Sequence, residues 1–171
     1  MLDRIHEELG IPPDYGATTG LPRFAEPDTL VSAGLNIVGR EQSLTPASLA
    51  DWTAMVDAAA SHEISLLLVS GFRSIDHQAG LFRRKLNAGQ SIDQILCVNA
   101  APGFSQHHTG RAIDIATPGV RPLIVEFETT PAFAWLQTHA PAFGFSLAYP
   151  RDNSWGLDYE PWHWFHQEND A

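Results

Sequence analysis

Ser105-Gln106-His107-His108-Thr109-Gly110-Arg111-Ala112-Ile113-Asp114 is a polar loop that runs into a strand. From Ala112 to Ala116 small or polar residues alternate with isoleucine, so Ile113 and Ile115 face a core while Asp114 faces the other way. A carboxylate is thereby displayed on a rigid element. His107 and Asp114 are seven residues apart, a spacing that no single helical face accommodates. A loop entering a strand can aim both side chains at one point, and Gly110 permits the turn. By itself the pair also fits an ordinary histidine–carboxylate hydrogen bond.

A second segment, Glu160-Pro161-Trp162-His163, adds another imidazole and another carboxylate. A straight strand would send Glu160 and His163 to opposite faces. Pro161 disfavours helical geometry at Glu160 and donates no ladder hydrogen bond, so a bend or bulge there brings both side chains together. The alternative is an edge strand with a surface glutamate and a packed histidine between two tryptophans. Jointly, the two segments meet the needs of a catalytic zinc site. Such a site has three protein ligands, an open fourth position, and a base for water whose pKa the metal lowers to about 7.

Outward from these segments the chain reads as helices first, with strands concentrated toward its end. Thr45-Pro46 is a cap and first-turn pair, followed by Leu49, Trp52, Met55, Val56, Ala59 and Ala60 at helical spacing. Ser65 to Ser70 reads as a buried strand ending at Gly71, and Ile75 to Ala88 as a helix starting just after Arg73-Ser74. Ser91 with Gln94 has capping-box spacing for a short helix before Pro102-Gly103. Thr130-Pro131 opens a helix through Trp135 and Leu136 that Pro141 and Gly144 end. Phe145 to Tyr149 and Trp162 to Phe165 read as strands joined through a turn around Asp152-Asn153-Ser154. Strands gather late and no βαβ alternation appears, which predicts an α+β fold with a mainly antiparallel sheet flanked by helices.

Pro12-Pro13, Gly16, Gly20, Pro22 and Pro27 predict that residues 1–40 form an extended arm packed on a domain spanning 41–171. At 171 residues the chain suits one domain with a real core. A formal charge of −10 disfavours nucleic acid and anionic membrane surfaces as partners. No apolar run is long enough to span a bilayer. Cys97, the single cysteine, excludes an internal disulfide, and its apolar surroundings predict a buried packing residue. The charged start Met1-Leu2-Asp3-Arg4-Ile5-His6-Glu7-Glu8 predicts a cytoplasmic protein as written, or a periplasmic one if a leader was removed.

Ser70-Gly71-Phe72-Arg73-Ser74, then Ser105-x-His107-x-x-Gly110-x-Ala112-x-Asp114 with Thr109 before the glycine, then Gly144-Phe145, Tyr149-Pro150 and Glu160-Pro161-Trp162-His163-Trp164, form an ordered series. The series resembles the zinc D-alanyl-D-alanine carboxypeptidases of the VanY type, in a superfamily with lysostaphin-type peptidases and hedgehog amino-terminal domains. The resemblance implies a small α+β fold whose antiparallel sheet carries the metal. It implies His107, Asp114 and His163 as zinc ligands and Glu160 as the base and acid that takes a proton from water and returns it to the leaving amine. Arg73 corresponds to an arginine that stabilises the oxyanion or binds the terminal carboxylate, against the alternative of a surface arginine near a helix start. Ser105 and Gln78 match substrate-contacting positions and could equally be capping or surface polar groups. Relatives often have glutamine where His108 stands, and arginine after the position of Trp164, where this chain has Phe165-His166. His166 then reads as a surface residue, as do His6, His62, His77 and His139.

The resemblance therefore implies a zinc-dependent carboxypeptidase that hydrolyses the terminal D-amino acid, D-Ala-D-Ala or L,D-linked, of a peptidoglycan stem peptide or muropeptide. An L-Ala-D-Glu endopeptidase and a non-catalytic zinc-containing binding module are the alternatives. Trimming of wall fragments in the cytoplasm reconciles that substrate with the start of the chain.

Overall fold

The computed structural model describes residues 1–167, so the last four residues of the expected 41–171 domain lie outside the described residues. Helix α1 (Leu2–Leu9) buries Ile5, His6 and Leu9 and is closed by Gly10 at φ 71°. Helix α2 (Tyr15–Thr19) buries Tyr15. Where the sequence predicts an extended arm over residues 1–40, extended chain is confined to residues 21–30. Strand β1 (Val31–Leu35) then pairs antiparallel with β2 (Glu41–Leu44). Ile5 and Leu9 stand at helical spacing, and the prolines that follow separate the helices rather than prevent them.

Thr45 accepts the Ser48 amide and Pro46 takes the first position of α3 (Pro46–Ser61), which buries Trp52, Met55 and Ala59. Strand β3 (Leu67–Ser70) follows. Ser74 caps α4 (Ile75–Asn87), and a reciprocal Ser91–Gln94 capping box opens α5 (Ile92–Val98). A 3₁₀ turn over Gln106–Thr109 leads into β4 (Ala112–Ala116). Thr130 caps α6 (Pro131–His139), and β5 (Phe145–Leu147) and β6 (His163–His166) complete the chain. No helix among the described residues is long and apolar enough to cross a membrane.

The central sheet has the order β3-β4-β6-β5 and is antiparallel throughout, as the sequence predicts. Its two faces carry two cores. Ile113, Ile115, Phe145 and Trp164 pack against α3 and α6 through Trp52, Met55, Phe133 and Leu136. On the other face α1, α4 and α5 gather Ile5, Leu9, Phe82, Ile95, Phe104 and Tyr149, with Phe165 against them. The site described below is set into this second face.

Three expectations are corrected. Cys97 is exposed, because α5 turns Ile95 inward and a residue two positions on lies around the far side of the helix. His166 is buried, since strand alternation sends it with Trp164 under α3. There its Nδ1 lies 3.1 Å from Ser48 Oγ and its Nε2 2.7 Å from Asp51 Oδ2. His6 is buried on the inner side of α1, its Nε2 donating to the Pro102 carbonyl at 2.7 Å.

Candidate metal centre

Asp114 on β4 stands directly opposite His163 on β6 and, on its other flank, opposite Ser70 of β3. The strand register alone therefore places a carboxylate beside an imidazole. His107 reaches the same point from the 3₁₀ turn, which Ser105 starts by accepting the His107 amide at 3.3 Å. Gly110 ends the turn at φ 66°, where a Cβ would also lie 2.8 Å from Leu30 Cδ2. The turn is tied to the end of β3, because the Arg73 amide donates to the His107 carbonyl at 3.1 Å. Gly71 completes that tie, since its carbonyl accepts from His107 Nδ1 at 2.7 Å. A Cβ on Gly71 would lie 2.8 Å from the Ser43 carbonyl oxygen.

The Gly71 carbonyl only accepts, so His107 carries a proton on Nδ1, while His163 has an acceptor at each ring nitrogen, Asp114 Oδ1 at Nδ1 and Gln106 Oε1 at Nε2, both 3.0 Å away. A metal bound by His163 Nδ1 would leave the His163 proton on Nε2, donated to Gln106 Oε1. In that arrangement His107 Nε2 and His163 Nδ1 would both turn lone pairs to the metal. His107 Nε2 lies 3.3 Å from Oδ2, and His163 Nδ1 lies 3.0 Å from Oδ1. Burial holds the His107 imidazole down at about 4, so it is neutral at pH 7. Burial raises the Asp114 carboxyl and interaction with the protonated forms of His107 and His163 lowers it, the second effect being the larger, so Asp114 is the carboxylate of the set. Three potential ligand atoms thus converge within 4.8 Å of one another, a buried His-Asp-His set that a cation would satisfy. Tetrahedral coordination with bonds near 2.0–2.2 Å spaces ligand atoms about 3.3–3.6 Å apart, close to the 3.3 and 3.0 Å between Asp114 and the two imidazole nitrogens, so these donors suit a metal of that kind.

Glu160 lies in the turn before β6. Its amide donates to the Tyr149 carbonyl and its own carbonyl accepts from His163, both at 3.1 Å, so Pro161 and Trp162 form the bend that brings the two side chains to one side. Glu160 Oε2 is 3.8 Å from His163 Nδ1. Burial, and then the charge of Asp114, push its carboxyl well above the ordinary 4.5, with Arg73 partly offsetting them. The Arg73 guanidinium donates to Gln78 Oε1 at 2.9 Å and to Ser70 Oγ at 3.3 Å, and Gln78 in turn donates to the Ala100 carbonyl at 2.8 Å. All seven residues singled out in the sequence, His107, Asp114, His163, Glu160, Arg73, Ser105 and Gln78, line one cavity of about 490 Å³.

Sequence reasoning missed two neighbours. Gln106 orients His163, and the Tyr149 ring stacks on it at 4.7 Å and 26°. Gln106 sits beside His107 in the sequence, but its role depends on where β6 falls, which no local pattern encodes. His108 stands apart from the cluster, because its Nε2 accepts the Gly103 amide at 3.0 Å and its Nδ1 donates to the Arg73 carbonyl at 2.6 Å.

YodJ of Bacillus subtilis (strain 168), a candidate carboxypeptidase, is 35% identical over 112 residues, which cover 64% of this chain and 41% of that protein. The first three curated relatives are each matched over 33–43% of their own length. Among solved structures, the LdcB LD-carboxypeptidase superposes with a TM-score of 0.74 at 29% identity, covering 85% of this chain and 71% of that one. A Zn(II) complex of a vancomycin resistance D,D-pentapeptidase VanY variant shares the fold, with a TM-score of 0.62 at 23% identity and 87% of each chain covered. Residues 41–168 match the sequence profile of the VanY family, described as D-alanyl-D-alanine carboxypeptidase, and the chain belongs to that family.

Proposed function

We propose that this chain is a zinc-dependent carboxypeptidase that removes the terminal D-amino acid from peptidoglycan stem peptides or muropeptides. One observation carries the reading: His107 Nε2, Asp114 and His163 Nδ1 converge in a cavity that also holds a buried carboxyl, Glu160, and an aligned guanidinium, Arg73. Zinc held there would polarise a carbonyl and acidify water. Glu160 is suited to the proton transfers, because its raised pKa brings a carboxyl closer to the operating pH. Its carboxylate takes the proton of the attacking water and returns it to the nitrogen of the leaving amino acid. Arg73 is held by Gln78 and Ser70 before substrate arrives, so its N–H groups meet developing negative charge without reorganising. Gln78 serves by aligning Arg73, and Ser105 by starting the turn that carries His107.

The metal assignment draws support from the Zn(II) complex of the VanY neighbour, and the substrate class from the family and from LdcB. A module that kept zinc for structure alone would have no use for Glu160 beside the cluster. The test is release of D-alanine from synthetic stem peptides ending in D-Ala-D-Ala or in a single L,D-linked D-Ala, by zinc-loaded protein and a chelated control. Chelator-sensitive release is expected, and the preferred peptide separates D,D- from L,D-cleavage. Zinc-loaded protein that releases nothing, or cuts only an L-Ala-D-Glu link, would overturn the proposal.

A further inference from the structure

We infer that Lys85 binds the terminal carboxylate of the substrate and so confines the site to chain ends. The inference rests on the carboxypeptidase reading above. Lys85 is the one lysine of a chain with formal charge −10, and it lines the cavity. It stands on α4 seven residues after Gln78, two helical turns along the same face. Helical side chains lean toward the helix N-terminus, which directs its ammonium back toward Gln78 and Arg73.

The other two cations of the cavity are committed. Arg73 is bonded to Gln78 and Ser70; Arg151 pairs with Glu128 at 2.7 Å and lies over the Tyr159 ring at 4.2 Å. The Lys85 ammonium makes no hydrogen bond or ion pair among the described residues. Partial burial, together with the charge of Arg73, lowers its pKa, a cost that an arriving anion offsets. Arg73 is bonded to Ser70, the β3 residue opposite Asp114, which makes it the cation beside the metal cluster. Lys85 lines the same cavity two turns of α4 beyond the Gln78 that holds Arg73, and Glu160 feels both cations. That spacing leaves Arg73 for the scissile carbonyl and Lys85 for the carboxylate of the leaving residue.

The test titrates zinc-loaded protein with N-acetyl-D-alanine and with its carboxamide by calorimetry, in the natural protein, Lys85→Met and Lys85→Arg, beside the D-alanine release assay. The natural protein should prefer the acid. Lys85→Met, which keeps the length of the stem, should bind the acid about 10–100-fold more weakly and the amide unchanged, the loss expected for a hydrogen bond to a charged group. Lys85→Arg should restore most of the preference. An acid-to-amide ratio that is absent in the natural protein or survives in Lys85→Met overturns the inference. A preference that depends on Lys85 in a protein releasing no D-alanine sustains it and overturns the carboxypeptidase reading instead.

Discussion

Replacing Gln106 with leucine removes the acceptor that holds His163 in the tautomer metal binding requires. Gln106 Oε1 lies 3.0 Å from His163 Nε2, and both residues are buried. Without that acceptor the proton has two places to go. If it stays on Nε2 it is an unsatisfied buried donor, at a cost of about 1–3 kcal/mol. If it moves to Nδ1 it is donated to Asp114 Oδ1 at 3.0 Å, and the nitrogen aimed at the metal becomes a donor. Either penalty falls on the metal-bound state, and the same range corresponds to roughly 10–100-fold in zinc affinity, as for other outer partners of metal ligands. Leucine has nearly the volume of glutamine, so packing changes little. Competition for zinc against a chromophoric chelator at pH 7 measures the effect. Gln106→Glu, which keeps an acceptor, should bind zinc at least as tightly as the natural protein. Zinc affinity within about twofold of natural in Gln106→Leu, with the circular dichroism spectrum intact, would refute the tautomer argument.

Acid should destabilise the metal-free protein through His107. Its folded pKa of about 4 lies below the ordinary 6.5, so between those values the unfolded chain binds a proton that the folded chain does not. Stability present above pH 6.5 is therefore lost as pH falls through this window, by about 3 kcal/mol, and His108, also lowered by burial, acts in the same direction. Glu160, raised by burial, takes up a proton in the folded state and opposes the loss, so the full effect is expected in Glu160→Gln and a smaller one in the natural protein. Urea unfolding at pH 7 and pH 4 checks the sign, and a flat profile in Glu160→Gln contradicts it. Gly71→Ala places a methyl group 2.8 Å from a backbone oxygen. It should cost about 1–3 kcal/mol of stability and weaken zinc binding, because relieving the clash with Ser43 shifts residue 71, whose own carbonyl orients His107. Unchanged melting and zinc affinity would show that the loop yields freely.

Much of this arrangement was legible in the sequence, because the signals were local. The caps of α3, α5 and α6 follow from Thr45, Ser91 and Thr130, each of which accepts the amide three residues on. The inward isoleucines of β4 correctly placed Asp114 on the opposite face. The β1–β2 hairpin was not legible, because Val31-Ser32-Ala33-Gly34-Leu35 shows no clean alternation and pairs through a bulge. His166 was misread because a surface assignment assumes that one face of the sheet is open to solvent. Here both faces are covered, so both parities of β6 are buried. Gln106, Tyr149 and Lys85 acquire their places from tertiary packing of separate elements, and no spacing within any one segment announces it.

The central claim is that Glu160 moves the protons of a metal-dependent hydrolysis. The most direct test measures bound zinc and the rate of D-alanine release in Glu160→Gln beside the natural protein. The three ligand side chains are untouched by that change, so one zinc per chain should remain while the rate falls by roughly 10²–10⁴-fold, the range for loss of a general base. Full activity in a zinc-loaded Glu160→Gln protein would contradict the account.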